Sequence, residues 1–265
     1  MRFCDLLDAA RSNPLDVTVP AEWAQGRATF GGLVAALQYE ALRAQVPADR
    51  PLRSLAITFV GPVSPDVPAS YQVEVLREGK AVSQLLGRVV QNGEVMTLMQ
   101  ASFGASRASV VDVEAERAPT FKHWDDCQEL PYAKGVMPEF MRHLAMRWSV
   151  GGWPFTGNTS RDMGGWVRLR GDVKEEALTE AHILALVDAW PPALLPHLTK
   201  PAPGSTLTWT IEFIQPLLSL TTLDWCQYHA HIEHARDGYG HVAANLWSPD
   251  GQLIAISRQT VVVFA

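Results

Sequence analysis

The chain has 265 residues, 47% of them hydrophobic, and a formal net charge of −6. This is the composition of a globular protein that can bury a sizeable core, and its dispersed charges exclude a basic surface able to follow the phosphates of a nucleic acid. No apolar run approaches the ~18 residues of a membrane span, the N-terminus lacks a signal peptide, and the cysteines form no CxxC pair. We therefore expect a cytoplasmic protein with neither nucleic acid nor a membrane as its partner.

The first half of the chain predicts one helix followed by an antiparallel meander. Residues 31–45 are rich in Ala and Leu, contain no Pro and are apolar on more than one face, as in a helix that a sheet wraps. Asn92-Gly93 between two apolar runs is a strong signal for a hairpin. The strands predicted in this half cover residues 54–61, 70–76, 80–91 and 94–103.

The second half repeats this plan after a break in composition. Residues 106–140 mix charges with several prolines and predict a connector that packs over the surface. Residues 179–196 predict the second helix, and turns of the Asx-Gly type again separate the strands. The strands predicted in this half cover residues 146–155, 164–170, 206–215, 223–234, 239–248 and 252–264.

Three short motifs occur twice, in the same order and at nearly constant spacing, which indicates an internal duplication. A buried helix held by a curved antiparallel sheet, present twice, is the hotdog architecture in tandem. We predict an α+β fold with an N-terminal hotdog module at residues 1–105, a connector at 106–140 and a C-terminal hotdog module at 141–265. The repeated motifs are Phe59-x-x-Pro62 with Phe213-x-x-Pro216 (154 residues apart), Arg77-x-Gly79 with Arg236-x-Gly238 (159 apart) and Asn92-Gly93 with Asp250-Gly251 (158 apart).

The clearest difference between the two copies is one acidic residue in the second helix. Asp188 stands in an apolar stretch, whereas the first helix has no acid before Glu40. Desolvation raises the pKa of a carboxylate among apolar side chains and suits it to act as a general base. Because Pro191 and Pro192 follow, the helix must break near Asp188 or restart there. The alternative interpretation is that Asp188 caps a turn that starts at Pro191.

Two strands of the second half carry polar residues in apolar surroundings. Gln259 lies in the last strand, and the residue at the same distance from the Asx-Gly turn in the first copy is Ala101. Thr206 and Thr208 are expected to share one face of another strand. Each of these residues alone is more often structural. Together with Asp188 they make a set that could hold a water, with one base and two neutral hydrogen-bonding groups.

The order of these motifs resembles that of the double-hotdog acyl-CoA thioesterases of the thioesterase II type. The resemblance covers nearly the whole chain. In the first half it is carried by Trp23…Gly26-Arg27…Phe30-Gly31-Gly32, Ser54-Leu55…Phe59-x-x-Pro62, Leu76-Arg77-x-Gly79 and Gln91-Asn92-Gly93. In the second half it is carried by Leu186-Val187-Asp188, the strand of Thr206 that ends in Phe213-x-x-Pro216, and Asp250-Gly251…Gln259.

This resemblance implies an enzyme that hydrolyses acyl-CoA to a free acid and CoA without a covalent intermediate. It implies that Asp188 is the base and that Thr206 and Gln259 orient the water, with Thr208 as the alternative to Thr206. It also implies that copies of the chain pair, as a homodimer or a higher homo-oligomer. The residues expected to bind the substrate are Phe30, Gly31, Gly32 and Trp190.

Other functions remain open at this point. A non-catalytic protein that binds acyl-CoA or acyl chains has the same fold without turnover. An enoyl-thioester hydratase or dehydratase needs a His base beside a carboxylate, and His182, six residues before Asp188, is not in that arrangement. The absence of a Gly-x-Ser-x-Gly motif excludes an α/β-hydrolase thioesterase. His229 and His231 share a strand face, but a half-exposed face is the simpler interpretation, so we predict no metal and no cofactor.

Overall fold

The computed structural model describes residues 1–170 and 175–265. Residues 171–174, which belong to the predicted C-terminal module, lie outside the described part. The helices are α1 (Phe3–Ser12), α2 (Gly31–Arg43) and α3 (Glu180–Asp188). The strands are β1 (Ala24–Gln25), β2 (Ala28–Thr29), β3 (Leu52–Phe59), β4 (Ser70–Glu78), β5 (Val82–Gln91), β6 (Glu94–Gly104), β7 (Gln128–Glu129), β8 (Leu144–Val150), β9 (Asp162–Leu169), β10 (Gly204–Phe213), β11 (Cys226–Arg236), β12 (Tyr239–Trp247) and β13 (Leu253–Val263).

Strands β3 to β13 form one large antiparallel sheet, and β1 and β2 form a separate hairpin. The sheet has 11 strands in the order β4-β5-β6-β3-β10-β13-β12-β11-β9-β8-β7. The expected mixture of few helices and a large antiparallel sheet is therefore confirmed. Every long strand predicted from the sequence is present, with ends that differ by a few residues.

The two halves of the sheet join at equivalent strands. β3 and β10 pair antiparallel, and Ala56 lies opposite Thr210. These two residues are 154 positions apart (210 − 56), which is the spacing of the first repeated motif. Pairing between two residues at the repeat spacing is what an approximate two-fold axis through the junction predicts. The pairing also covers two strand edges that would otherwise be exposed.

Helices α2 and α3 are buried and pack against each other as well as on the sheet. In α2 the buried stretch runs from Gly32 to Leu42, in agreement with the apolar pattern. The predicted second helix, residues 179–196, is too long, because α3 ends at Asp188. The reason is local: Pro191 disfavours helical backbone at the residue before it, and neither proline has an N–H to continue the helix.

The predicted connector, residues 106–140, lies over the outer face of the second half of the sheet. Side chains of the sheet hold its backbone, as Gln227 Nε2 donates to Pro119 O at 2.7 Å and Trp166 Nε1 donates to Lys122 O at 2.9 Å. Near its end the short strand β7 extends the sheet beside β8. In the described part of the chain, no helix is both long and apolar enough to cross a membrane.

Candidate active site

The two halves enclose a cavity of about 790 Å³ where α2 begins and α3 ends. Among the described residues that line it, Asp188 alone is acidic and Arg27 alone is basic. The first half contributes, among others, Arg27, Thr29, Gly31, Val34, Phe59, Val63 and Thr97. The second half contributes Asp188, Trp190, Pro192, Pro203, Gly204, Ser205, Thr206, Gln259 and Phe264.

Asp188 is the last residue of α3, and its carboxylate borders the cavity. Gln259 Nε2 donates to Asp188 Oδ1 at 3.0 Å, and the backbone N–H of Gly32 also donates to this carboxylate. Burial raises the pKa of Asp188 to about 7, and the hydrogen bonds from Gln259 and Gly32 oppose this rise. Asp188 caps no helix that follows it. A carboxylate with this pKa is half ionised near neutral pH, as a general base requires.

Thr206 joins this cluster because strand β10 has a β-bulge. Thr206 Oγ1 donates to Gln259 Oε1 at 3.4 Å. The pairing of β10 with β13 shifts register between Thr206 and Thr208, so the extra residue turns Thr206 to the inner face and leaves Thr208 exposed. The expectation that both threonines share one face is therefore wrong. Thr208 does not line the cavity.

Gly31 and Gly32 bring the first turn of α2 against Asp188. A Cβ on Gly31 would lie 2.9 Å from Asp188 Oδ2. A Cβ on Gly32 would lie 3.0 Å from Asp188 Cβ and 2.6 Å from the Phe30 ring. Only glycine permits so close an approach of the helix start to another side chain. The first turn of a helix has N–H groups without intrahelical partners, and one of them meets the carboxylate here.

Of the other two residues expected to bind the substrate, Trp190 lines the cavity and Phe30 does not. Phe30 is fully buried and stacks on Phe140 at 4.1 Å between ring centroids, below the start of α2. It does not line the cavity, whereas Trp190 does. The Trp190 ring stacks on Tyr228 with centroids 5.1 Å apart. Trp190 is thus held rigidly in the cavity wall beside Asp188.

Sequence reasoning missed two features of this site. The backbone donor to Asp188 is Gly32, 156 residues earlier in the chain (188 − 32) and in the other half. Phe59, which was noticed only as part of a repeated motif, forms part of the wall and lies 3.4 Å from where a Gly31 Cβ would be. The repeat was the available signal for both features, because duplicated strands that pair bring the start of one helix to the end of the other.

The histidines take no part in this cluster. His182 lies near the start of α3, where its Nδ1 is 2.8 Å from Thr179 Oγ1, and burial lowers its pKa to about 4. His229 Nε2 and His231 Nδ1 both contact Asp162 Oδ1, at 3.0 and 2.8 Å. Within residues 1–170 and 175–265, no group of three or more His, Cys, Asp or Glu side chains is arranged to hold a metal ion.

Two buried helices on a large antiparallel sheet, with one acid of raised pKa between them, define a protein of the hotdog class. Solved structures agree with this fold. A hotdog-fold protein from Alicyclobacillus acidocaldarius superposes with a TM-score of 0.83 at 24% identity, over 94% of this chain and 92% of that one. An acyl-CoA thioesterase II from Mycobacterium marinum superposes with a TM-score of 0.73 at 19% identity, over 94% and 91%.

Sequence comparison then identifies the family. The acyl-CoA thioesterase N-terminal domain matches residues 19–104, and the acyl-CoA thioesterase C-terminal domain matches residues 124–263. A curated relative, acyl-CoA thioesterase 2 of Haemophilus influenzae, is 26% identical over 257 residues, which is 88% of this chain and 86% of the relative. The chain belongs to the acyl-CoA thioesterase family, and it is an enzyme of thioester hydrolysis that acts on acyl-CoA.

Proposed function

We propose that this enzyme hydrolyses acyl-CoA by a single attack of water, with Asp188 as the general base. The observation that carries the proposal is the hydrogen-bonded series from Thr206 through Gln259 to Asp188 at the cavity wall. The raised pKa of Asp188 keeps a large fraction of the carboxylate ready to take a proton near neutral pH. Thr206 and Gln259 supply neutral groups that hold the water between the base and the thioester.

In this reaction Asp188 carries the proton in both steps. Asp188 removes a proton from the water as its oxygen bonds to the thioester carbon, which gives a tetrahedral oxyanion. Collapse of this intermediate breaks the C–S bond and releases the acid. The CoA thiolate takes the proton back from Asp188, which restores the base.

The start of α2 is the natural partner of the thioester carbonyl. Its first turn carries N–H groups that have no partner within the helix, and the positive end of the helix dipole lies there. Gly31 lines the cavity next to Asp188. We assign the Gly31 N–H to the carbonyl oxygen, where a donor stabilises the charge that develops in the transition state. Val34, Phe59 and Val63 offer an apolar surface to the acyl chain.

The same proposal includes the organisation of the chain as a tandem hotdog. The module at 1–105 supplies the helix start and much of the acyl surface, the module at 141–265 supplies the base and its partners, and residues 106–140 connect them. The pairing of Ala56 with Thr210 supports this division. The family domain matched at residues 19–104 agrees with the first module, whereas the domain matched at 124–263 begins within the segment assigned to the connector.

A pair of such chains about a two-fold axis is the expected assembly. The exposed apolar residues Val75 and Leu76 on the edge strand β4 favour contact with another copy. Light scattering over a wide range of concentrations checks this expectation. A species of the mass of one chain at every concentration contradicts it.

The mechanism is tested by one turnover in ¹⁸O-labelled water with enzyme in excess over a saturated acyl-CoA. Direct attack by water places the label in the released acid. Attack by Asp188 itself forms an anhydride, and water that opens this anhydride at the Asp188 carbonyl places the label in the Asp188 carboxylate. A label found in the protein rejects the mechanism proposed here. Release of no thiol at all from a panel of acyl-CoA esters indicates a binding protein, and hydration of crotonyl-CoA indicates a hydratase.

A further inference from the structure

A second hollow of about 480 Å³ lies beside the active-site cavity and carries a different chemistry. Its walls include Arg161, His197, Arg236 and Tyr239, and we call it the arginine groove. Arg236 and Tyr239 pair across the tip of the β11–β12 hairpin. His197 Nε2 lies 2.9 Å from Ser160 O, which joins the short helix Leu195–His197 to the segment of Arg161.

The two arginines of the groove lack a direct ion pair in the described part of the chain, although an aspartate follows each of them in the sequence. Within residues 1–170 and 175–265, neither Arg161 nor Arg236 forms an ion pair with a carboxylate. The Arg161 guanidinium donates one hydrogen bond, to Glu233 O at 3.4 Å. The carboxylate of Glu233 is paired with Arg258, and Asp162 is paired with His229 and His231. In a chain with a net charge of −6, two free guanidinium groups at one hollow are an anion-binding feature.

The groove and the active-site cavity are neighbours along the end of β13. Val263 lines the groove and Phe264, the next residue, lines the cavity. The segment after α3 divides in the same way, because Pro192 faces the cavity and Leu194 faces the groove. The two hollows therefore share two segments of chain, and a ligand that spans them has to pass the Phe264 side chain.

We propose that the arginine groove binds the phosphorylated nucleotide of acyl-CoA, with the pantetheine arm passing Phe264 to reach Asp188. The proposal rests on the function proposed above. Arg161 and Arg236 match the phosphates as bidentate donors, and the exposed Tyr239 ring offers a face on which adenine stacks. This direction leaves the acyl chain at the Val34 and Phe59 end of the cavity.

The test compares two substrates that carry the same acyl group, one as the CoA thioester and one as the pantetheine thioester, which lacks the nucleotide. In the double variant Arg161→Gln/Arg236→Gln, KM for acyl-CoA should rise about tenfold to a hundredfold, because charge-assisted hydrogen bonds are lost. The kcat for acyl-CoA should stay within about twofold, since the reacting atoms are untouched. Turnover of acyl-pantetheine should equal that of the wild type, and this reading also shows that the variant is folded.

Two further variants sharpen the comparison. Arg107→Gln removes an exposed arginine outside both hollows and serves as the matched control, with unchanged kinetics. Tyr239→Leu should raise KM for acyl-CoA about fivefold, because base stacking is lost, and Tyr239→Phe should restore the wild-type KM. Arg27→Gln tests the one basic residue among the described residues that line the active-site cavity. If Arg27→Gln raises KM for acyl-CoA while the double variant does not, the nucleotide lies at Arg27 and the proposal is overturned.

Calorimetry with free CoA and with 3′-dephospho-CoA separates this proposal from the catalytic one. The double variant should lose affinity for CoA even if Asp188 proves not to be the base. A smaller loss with 3′-dephospho-CoA assigns the groove to the 3′-phosphate, and an equal loss assigns it to the pyrophosphate. If the double variant keeps its affinity for CoA and the Asp188→Asn enzyme is inactive, the binding role of the arginine groove is rejected and the proposed mechanism stands.

Discussion

The two halves of the molecule place different residues at equivalent positions around their helices. Gln259 lies opposite Trp209 in the second half, and Ala101 lies opposite Leu55 in the first. Trp209 and Leu55 are themselves 154 residues apart (209 − 55), so Ala101 and Gln259 occupy the same place in the two copies. One copy has an amide that contacts a carboxylate, and the other has a fully buried methyl group.

The other members of the catalytic cluster differ in the same way. The register shift between Thr206 and Thr208 recurs between Leu52 and Ser54 in β3. The bulge is thus present in both copies, and it turns a hydroxyl inward in one and Leu52 inward in the other. The two halves therefore share the backbone bulge and differ in the side chain that the bulge turns inward.

The helices complete the comparison. Asp188 is the ninth residue of α3 and Tyr39 is the ninth residue of α2. Asp188 contacts Gly32 at the start of α2, while Tyr39 donates to Glu180 Oε2 at 3.0 Å at the start of α3. Gln215 donates to the other oxygen of Glu180 at 3.1 Å. The same framework therefore holds a titratable base at one end and a closed set of structural hydrogen bonds at the other.

The largest expected effect is that of Asp188→Asn, which removes the base and keeps its size. Turnover of a good acyl-CoA should fall by about 10²–10⁴-fold, the usual contribution of a general base. Affinity for CoA should be unchanged. Steady-state thiol release and calorimetry measure the two quantities. The matched control is Asp49→Asn, which makes the same change at an exposed aspartate outside both hollows. Full activity in a folded Asp188→Asn enzyme would falsify the role of Asp188.

The next effect comes from exchanging the residues that distinguish the copies. Gln259→Ala imposes the first copy's residue and should lower kcat about tenfold to a hundredfold, because the donor that positions Asp188 is lost. Ala101→Gln is the reciprocal change and should lower the free energy of unfolding by about 2–4 kcal/mol, since it forces an amide into a packed core. Denaturant unfolding and kinetics measure both variants. Equal kinetic losses in the two variants would show that Gln259 acts only through packing.

The pH dependence of the wild type tests the environment of Asp188. Because its pKa is raised to about 7, kcat/KM should increase about tenfold from pH 6 to pH 8 as the base ionises. Because the pKa of Asp188 is higher in the folded chain than in the unfolded chain, ionisation of Asp188 destabilises the fold. The protein therefore loses stability as pH rises from 3.8, the ordinary pKa of Asp, to about 7. The Tm of Asp188→Asn relative to wild type should therefore increase between pH 4 and pH 8. A flat profile in both measurements contradicts the raised pKa.

The smallest effect separates the two threonines. Thr206→Ala should lower kcat about three- to tenfold, because it removes one neutral hydrogen bond to Gln259 and the water. Thr208→Ala, on the exposed face of the same strand, should leave kcat unchanged. Combined with Asp188→Asn, Thr206→Ala should add little further loss, since residues that act as one unit fail together. A larger loss from Thr208→Ala than from Thr206→Ala would contradict the inward orientation that the bulge produces.

Local pattern was enough to predict the buried helix at Gly31–Arg43, the order of the long strands and the single acid that breaks the symmetry. These features depend on hydrophobic periodicity and on turn residues, which act over a few neighbours in the chain. The duplication also indicated Gln259 as the counterpart of Ala101. The end of α3 was predicted too far along, although Pro191 was already visible, because the apolar run continues past it.

The tertiary structure alone decided which groups meet. One extra residue in β10 sends Thr206 inward and Thr208 outward. The alternation of side chains along a regular strand does not predict such a bulge. The Gly32 N–H reaches Asp188, and Phe30 is directed to the core, because β3 pairs with β10 across the junction of the halves. The sequence by itself determined what each segment forms and which residues differ between the copies. Which of them share one cavity depended on strand pairing over about half of the chain, which no local pattern encodes.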